Sequence, residues 1–142
     1  MKIVVLAIGK PKSRPIRELV EDYSGRISHY LKFNLVSCRD DKQALVKIEG
    51  QDFLVILDER GAQKTSTELA ALISKHQMQG TKRVVFFIGG QDGVGSGIRK
   101  RANLVLGLSN MTFPHELVQV ILTEQIYRAL TILKGEPYHR QT

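Results

Sequence analysis

The stretch Leu108–Arg140, LSNMTFPHELVQVILTEQIYRALTILKGEPYHR, decides the fold. Its opening, Ser109–Thr112, is polar and turn-prone. Pro114 then stands in the first turn of a helix, where a missing N–H costs nothing. The helix is expected to run to about Lys134, with Gly135 as its C-terminal cap and Pro137 forbidding continuation. Tyr138, His139 and Arg140 form a short tail that this punctuation detaches from the helix, so it is expected to be dispensable for folding.

At 100° per residue, Val118, Ile121, Leu122, Ala129, Ile132 and Leu133 share one arc of that helix. Leu117, Val120, Ile126, Tyr127 and Leu130 widen it. A helix this apolar packs on a sheet with one side and on a second surface with another. In a chain of 142 residues that second surface can be another subunit, which predicts a homodimer. Gln125 falls inside the arc, and loop backbone groups are the simplest partners for its amide.

Upstream, apolar runs alternate with helical spacing. Lys2–Gly9 reads as a strand buried on both faces. After the basic loop Lys10–Arg14, Ser13 and Pro15 start a helix carrying Ile16, Leu19, Val20, Tyr23, Ile27 and Leu31. Asn34–Cys38 is a second strand, and Asp40 caps a short helix. Phe53–Leu57 is a third strand, turned at Asp58–Gly61. Ser66 or Thr67 caps a helix with Leu69, Leu72, Ile73 and Met78 inward, ended by Gly80. Val84–Ile88 and Leu104–Leu108 are the fourth and fifth strands, separated by a glycine-rich loop and a helical turn at Ile98–Ala102. This alternation predicts an α/β fold: a mostly parallel five- or six-stranded sheet with helices on both faces, in one domain spanning 1–142. Ligands in such sheets sit beyond the carboxyl ends of the strands. That points to three loops: Asp58–Gly61, Gly89–Gly97 and Ser109–Phe113.

The chain is 42% hydrophobic and 25% charged, as in ordinary globular proteins. No apolar run is long enough to span a bilayer, and Ile3–Ile8 is too short for a signal-peptide core. The single Cys38 excludes an intrachain disulfide and a cysteine metal cluster. The expected location is the cytoplasm, with no membrane and no metal. A net charge of +7 favours a polyanionic partner. Aromatic residues do not interleave with the basic ones, so no stacking platform for single strands is visible.

Gly89, Gly90, Gly93, Gly95 and Gly97 crowd one loop. The segment misses the dinucleotide fingerprint, because Ile98 takes the last glycine position, and no Gly-Lys-Ser/Thr tripeptide exists for a phosphate loop. So many glycines favour backbone approaching a ligand closely over a simple turn. Asp58 and Glu59 either contact ligand hydroxyls or cap the turn. His115, at a helix N-terminus that disfavours imidazolium, reads as a packing or hydrogen-bonding residue rather than a base. His29 and His76 fall at solvent-like helical positions. Ser109 lacks a nucleophile-elbow context.

Four segments in order carry a family resemblance: Leu57-Asp58-Glu59-Arg60-Gly61, Phe87-Ile88-Gly89-Gly90, Leu108–Leu117, and Glu124–Arg128 through Tyr138-His139-Arg140. The chain resembles the large-subunit ribosomal RNA methyltransferase H family of the SPOUT superfamily. The resemblance implies a C-terminal trefoil knot, which pattern reasoning alone would reject. It implies S-adenosyl-L-methionine as cofactor and N3 of a pseudouridine in 23S rRNA, met in assembled ribosomes, as the methyl acceptor. Carried over by motif, Leu57, Gly90, Ser109, Asn110, Met111, Thr112, Phe113 and Pro114 would bind the cofactor, with Leu57 and Met111 flanking adenine. Tyr138, His139 and Arg140 would serve catalysis: His139 as a base, Arg140 on phosphate or developing imide charge. Two departures stand out. The Arg39–Asp52 connector is short for the family, and Gln119 stands where its members commonly carry Arg. The competing readings are a SPOUT methyltransferase acting on tRNA or another nucleotide, and a non-catalytic RNA-binding domain built on the Arg99-Lys100-Arg101 cluster.

Overall fold

Five strands alternate with five helices in a computed structural model, which describes residues 1–139. In chain order these are β1 (Lys2–Ile8), α1 (Arg14–Ile27), β2 (Lys32–Cys38), α2 (Asp41–Lys47) and β3 (Phe53–Gln63). Then come α3 (Ser66–Met78), β4 (Arg83–Ile88), α4 (Ser96–Arg101), β5 (Leu104–Gly107) and α5 (His115–Lys134), with a 3-10 turn at Pro137–His139. The strands form one sheet in the order β2-β1-β4-β3-β5, and all four strand pairs are parallel. The predicted α/β class and five-stranded parallel sheet are therefore present.

Strand alternation divides the core in two. Ile3, Val5, Ala7, Val55, Phe86 and Ile88 face α1, α3 and α5, where they meet Ile27, Leu69, Ile73, Leu122, Ile126 and Ala129. Val4, Leu6, Leu54, Ile56, Val85 and Phe87 face the other way, onto Ala44 of α2 and Ile98 of α4. Residues Leu54–Ile56 and Val84–Phe87 are at most 1% exposed, which explains why these strands read as unbroken apolar runs.

Several boundaries differ from the sequence reading. Helix α1 stops at Ile27, so Leu31 lies outside it. Asp40 does cap α2, accepting the Gln43 N–H. Helix α3 is capped by Thr65 rather than Ser66 or Thr67, because Thr65 and Glu68 close a reciprocal capping box that a cap at either later position would forgo. Met78, at the last turn of α3, is 83% exposed instead of inward. His76 is buried, not solvated: its Nδ1 lies 2.8 Å from Thr81 Oγ1 and its ring packs on Phe53. The segment Asp58–Gly61 is not a turn ending the third strand. It is an irregularity inside β3, which continues to Gln63; Leu106 of β5 pairs with Leu57 before it and with Ala62 after it.

Helix α5 begins at His115 with Pro114 as N-cap, and Gly135 ends it at φ 69° in the left-handed region. Its inner face holds Leu122, Ile126, Ala129 and Leu130 together with three buried polar residues, Gln119, Thr123 and Thr131. Thr123 and Thr131 satisfy their hydroxyls on the helix backbone behind them. Helices α1 and α3 flank α5 and cover part of the surface assigned above to a second subunit. Leu117 and Leu133 remain 42% and 39% exposed. Gln125 is half-buried and bonds side chains, Ser66 and Glu124, rather than loop backbone.

The tail is not detached. Tyr138 donates to Glu124 at 2.8 Å, approaches the Tyr23 hydroxyl at 3.3 Å, and packs edge-on against Tyr127 with ring centroids 4.7 Å apart. Arg128 lies over its ring, and Tyr30 donates to Glu136 at 2.7 Å. The helix cap only turns the chain, and the aromatic ring then finds apolar surface between α1 and α5.

Candidate cofactor cleft

The carboxyl ends of β1, β4 and β3 open into a cleft of about 1280 Å³. One wall is Leu57–Arg60 of β3, a second is Ile88–Val94 after β4, and a third is Leu108–Val118. Ile8, Gly9, Lys10 and Lys12 close the fourth side. Strand order explains the convergence: β1 and β4 are neighbours in the sheet, and so are β4 and β3.

Seven of the eight residues expected to bind cofactor line this cleft: Leu57, Gly90, Ser109, Met111, Thr112, Phe113 and Pro114. Asn110 does not. Its side chain turns away to accept from Gln63 Nε2 at 2.8 Å. Gly90 borders the cleft with little room behind it, since a Cβ there would lie 3.1 Å from Ile8 Cγ2. Ser109 Oγ accepts the Met111 N–H at 3.0 Å, folding the 109–113 segment into its turn. Thr112 is tied across the cleft to Glu59 at 2.6 Å. Of the five clustered glycines, Gly89, Gly90 and Gly93 reach the cleft, whereas Gly95 is the N-cap of α4 and Gly97 lies within that helix.

Asp58 caps its own turn, accepting the Arg60 N–H at 2.9 Å, and its carboxylate also takes Arg60 and Arg99. The Arg60 and Arg99 guanidinium groups hold Asp58 well below the usual carboxylate range, against the opposing effect of burial. With its oxygens so engaged it is a structural clamp rather than a free proton acceptor. Helix α4 supplies Arg99 to this clamp, and Arg101 is committed elsewhere, to the carbonyls of Glu49 and Asp52 at 2.9 Å. The Arg99-Lys100-Arg101 cluster is thus mostly internal bracing, which removes the main footing of a purely RNA-binding domain.

His115 is half-buried on the cleft wall, as a packing residue would be. His29 is exposed as expected. Tyr138 is not among the residues lining the cleft of its own chain, because its hydroxyl is held by Glu124 and Tyr23. Burial, then those two partners, raise its pKa. The role assigned to Arg140 and to the side chain of His139 lies outside the described residues. Sequence reasoning missed the β1 wall, with Lys10, Lys12 and the facing Glu116. Only the strand order, which sets β1 beside β4, would have drawn attention to it.

A family model described as "Predicted SPOUT methyltransferase" matches residues 1–139. The chain belongs to the SPOUT methyltransferase family. Proteins named ribosomal RNA large subunit methyltransferase H are similar over essentially their whole length. That of Trichlorobacter lovleyi is 42% identical over 98% of this chain and 99% of its own. That of Geotalea daltonii is 40% identical over the same shares. That of Porphyromonas gingivalis is 37% identical over 99% of this chain and all of its own. These alignments run over 152–157 residues, longer than the 142 of this SPOUT chain, whose 39–52 connector holds only the seven-residue α2. Among solved structures, the SpoU methyltransferase AviRb of Streptomyces viridochromogenes, in complex with AdoMet, aligns with a TM-score of 0.53 at 10% identity. It is matched over 90% of this chain and 57% of its own. A probable methylase family protein from Haemophilus influenzae aligns at 0.51 and 12% identity, over 94% of this chain and 66% of its own. At these identities the likeness is one of fold. Among the described residues no helix is long and apolar enough to cross a membrane, and no group of three or more His, Cys, Asp or Glu is arranged to hold a metal.

Proposed function

We propose that this chain transfers the methyl group of S-adenosylmethionine to N3 of a pseudouridine in large-subunit ribosomal RNA. The observation that carries the reading is the convergence of seven motif residues on one cleft, in a SPOUT chain whose relatives are named for ribosomal RNA methylation along their full length. The residues present fit the cofactor. Leu57, Met111 and Val118 offer apolar walls for an adenine ring. Gly90 brings bare backbone to the cleft beside Ile8, which a side chain there would crowd, and the backbone of Ser109–Phe113 can bond base edges. The cleft exceeds the roughly 300–1,000 Å³ of a typical small-ligand site, leaving room for an acceptor base beside the cofactor.

When bound, S-adenosylmethionine supplies an electrophilic methyl group on a sulfonium sulfur. The protein's task is to present the N3 lone pair in line with it, and such positioning supplies much of the rate. His139 takes the N3 proton, and Arg140 holds phosphate or the imide oxygen charge. Tyr138 roots that tail on α5. The C-terminal trefoil knot of the family is part of this reading. A homodimer through the outer face of α5 would cover Leu117, which is 42% exposed. The substrate is met in assembled ribosomes, in the cytoplasm.

Titration calorimetry tests the reading. Wild-type protein should bind S-adenosylmethionine and give no heat with NAD or ATP. Gly90→Val, folded by circular dichroism, should lose that binding; undiminished affinity in the variant would remove Gly90 from the site.

A further inference from the structure

Among the described residues, four Lys and Arg side chains line the cleft, and they fall into two pairs. Arg60 and Arg99 are spent on Asp58, at 3.2 and 2.6 Å. Lys10 and Lys12, on the opposite side, are exposed and form no ion pair among the described residues. Yet the loop that bears them is fastened. Pro11 is buried between them. Arg17 Nη1 donates to the carbonyls of Pro11 and Lys12 at 3.0 and 2.8 Å. The Lys12 N–H donates to the Glu116 carboxylate at the start of α5, and the Gly9 N–H to the Cys38 carbonyl at 2.9 Å. A guanidinium and a carboxylate are thus used to hold backbone, and two ammonium groups are left facing out from a fixed loop.

We propose that Lys10 and Lys12 form a phosphate clamp on the RNA backbone that flanks the base entering the cleft. The inference rests on the reading of the cleft as the site of an RNA methyltransferase. A base that must reach a methyl group inside a cleft leaves its stack, while its flanking phosphates stay at the mouth. Lysine suits that place: it is a compact point charge that grips phosphate without demanding a fixed geometry. Fastening the loop beforehand lowers the cost of ordering it when RNA binds. Among the described residues, the Lys and Arg side chains on the Asp58 side of the cleft are both ion-paired, so the strand is gripped from the β1 side.

The test is the affinity of the full chain for deproteinised large-subunit rRNA, measured by filter binding across a KCl series. Lys10→Ala and Lys12→Ala should each weaken binding, and each should flatten the slope of log K against log salt by roughly 0.7–0.9. The double replacement by Arg should restore both affinity and slope, whereas the double replacement by Gln should not. Affinity for S-adenosylmethionine should stay within twofold throughout. A wild-type slope in the folded double-alanine or double-glutamine protein would overturn the clamp. So would variants that bind rRNA normally but bind intact large subunits poorly, since the lysines would then face a ribosomal protein. Binding needs no turnover, so a chain that shows these slopes yet methylates nothing would upset the proposed reaction and leave the clamp standing.

Discussion

A Cβ on Gly61 would lie 2.7 Å from the carbonyl oxygen of Val105. The crossing is reciprocal: a Cβ on Gly107 would lie 2.9 Å from the Gly61 carbonyl oxygen. Here the irregular part of β3 passes over β5 backbone to backbone, and both obstacles are main chain that cannot swing aside. The crossing also carries Asp58–Arg60, so the cleft wall depends on it.

Gly61→Ala should therefore cost about 1–3 kcal/mol, the range for forcing extra atoms into a packed interior. Thermal melting checks it. Gly25→Ala, in α1 with open space around its Cβ position, should be neutral or slightly stabilising. Equal melting points for Gly61→Ala and wild type would mean the crossing is looser than described.

Asp52 and Arg83 brace the entry of β3 against β4, with Arg83 Nη2 2.7 Å and Nε 2.9 Å from the carboxylate and the Asp52 side chain 2% exposed. Removing one partner leaves a buried charge unpaired. Arg83→Ala should lose roughly 3 kcal/mol of stability. Chemical denaturation of this variant against Arg14→Ala, whose exposed pair with Glu18 should contribute under about 1 kcal/mol, separates the two cases.

The folded part of the tail should contribute to stability, contrary to the expectation from Gly135 and Pro137 alone. Tyr138→Phe keeps the ring on Tyr127 but loses the bond to the Glu124 carboxylate, a loss of about 1.5–3 kcal/mol at most. Tyr138→Ala should cost more. Alkaline titration gives a second readout. Burial and the Glu136 carboxylate push Tyr30 up to about 12. A pKa raised on folding means that the stabilisation is complete below the ordinary value near 10 and is lost as pH rises through about 12. Tyr30→Phe should flatten that alkaline loss.

Acid should act through His76 and Asp58. Burial, then the charge of Lys75, lowers the His76 pKa, so the unfolded chain takes up its proton first. The stabilisation is present above the ordinary imidazole value of 6.5 and erodes as pH falls below it. Asp58, also depressed, adds a second loss below about pH 4, as the unfolded carboxylate protonates. Stability measured from pH 8 to 3 should fall in two stages, and His76→Gln should remove the first.

The sheet and its helices were legible because buried parallel strands are apolar throughout and most breaks carry Gly, Pro or a capping side chain; where none stands, at 28–31, the reading overran α1. Leu54–Ile56 and Val84–Phe87 are examples. The cleft was legible where loops bear unusual residues, as at Gly89–Gly93 and Met111–Pro114. It was not legible at Lys10 and Lys12, whose place depends on β1 lying beside β4, a long-range pairing with no local signature. The same limit hid His76 and Tyr138. Their surroundings are built by Phe53 and Thr81 in one case and by Tyr23, Glu124 and Tyr127 in the other. Asn110 failed for a smaller reason: Gln63, at the end of β3, was there to receive its side chain, a partner set by long-range pairing.

Mass spectrometry of large-subunit rRNA is the most direct test of the central claim. In a strain lacking this protein, one pseudouridine should lose a single methyl group. Purified protein with S-adenosylmethionine should restore it on isolated ribosomes, and Gly90→Val should not. A methyl group retained at every pseudouridine of the deletion strain, or one restored by the variant as fast as by wild type, would contradict the account.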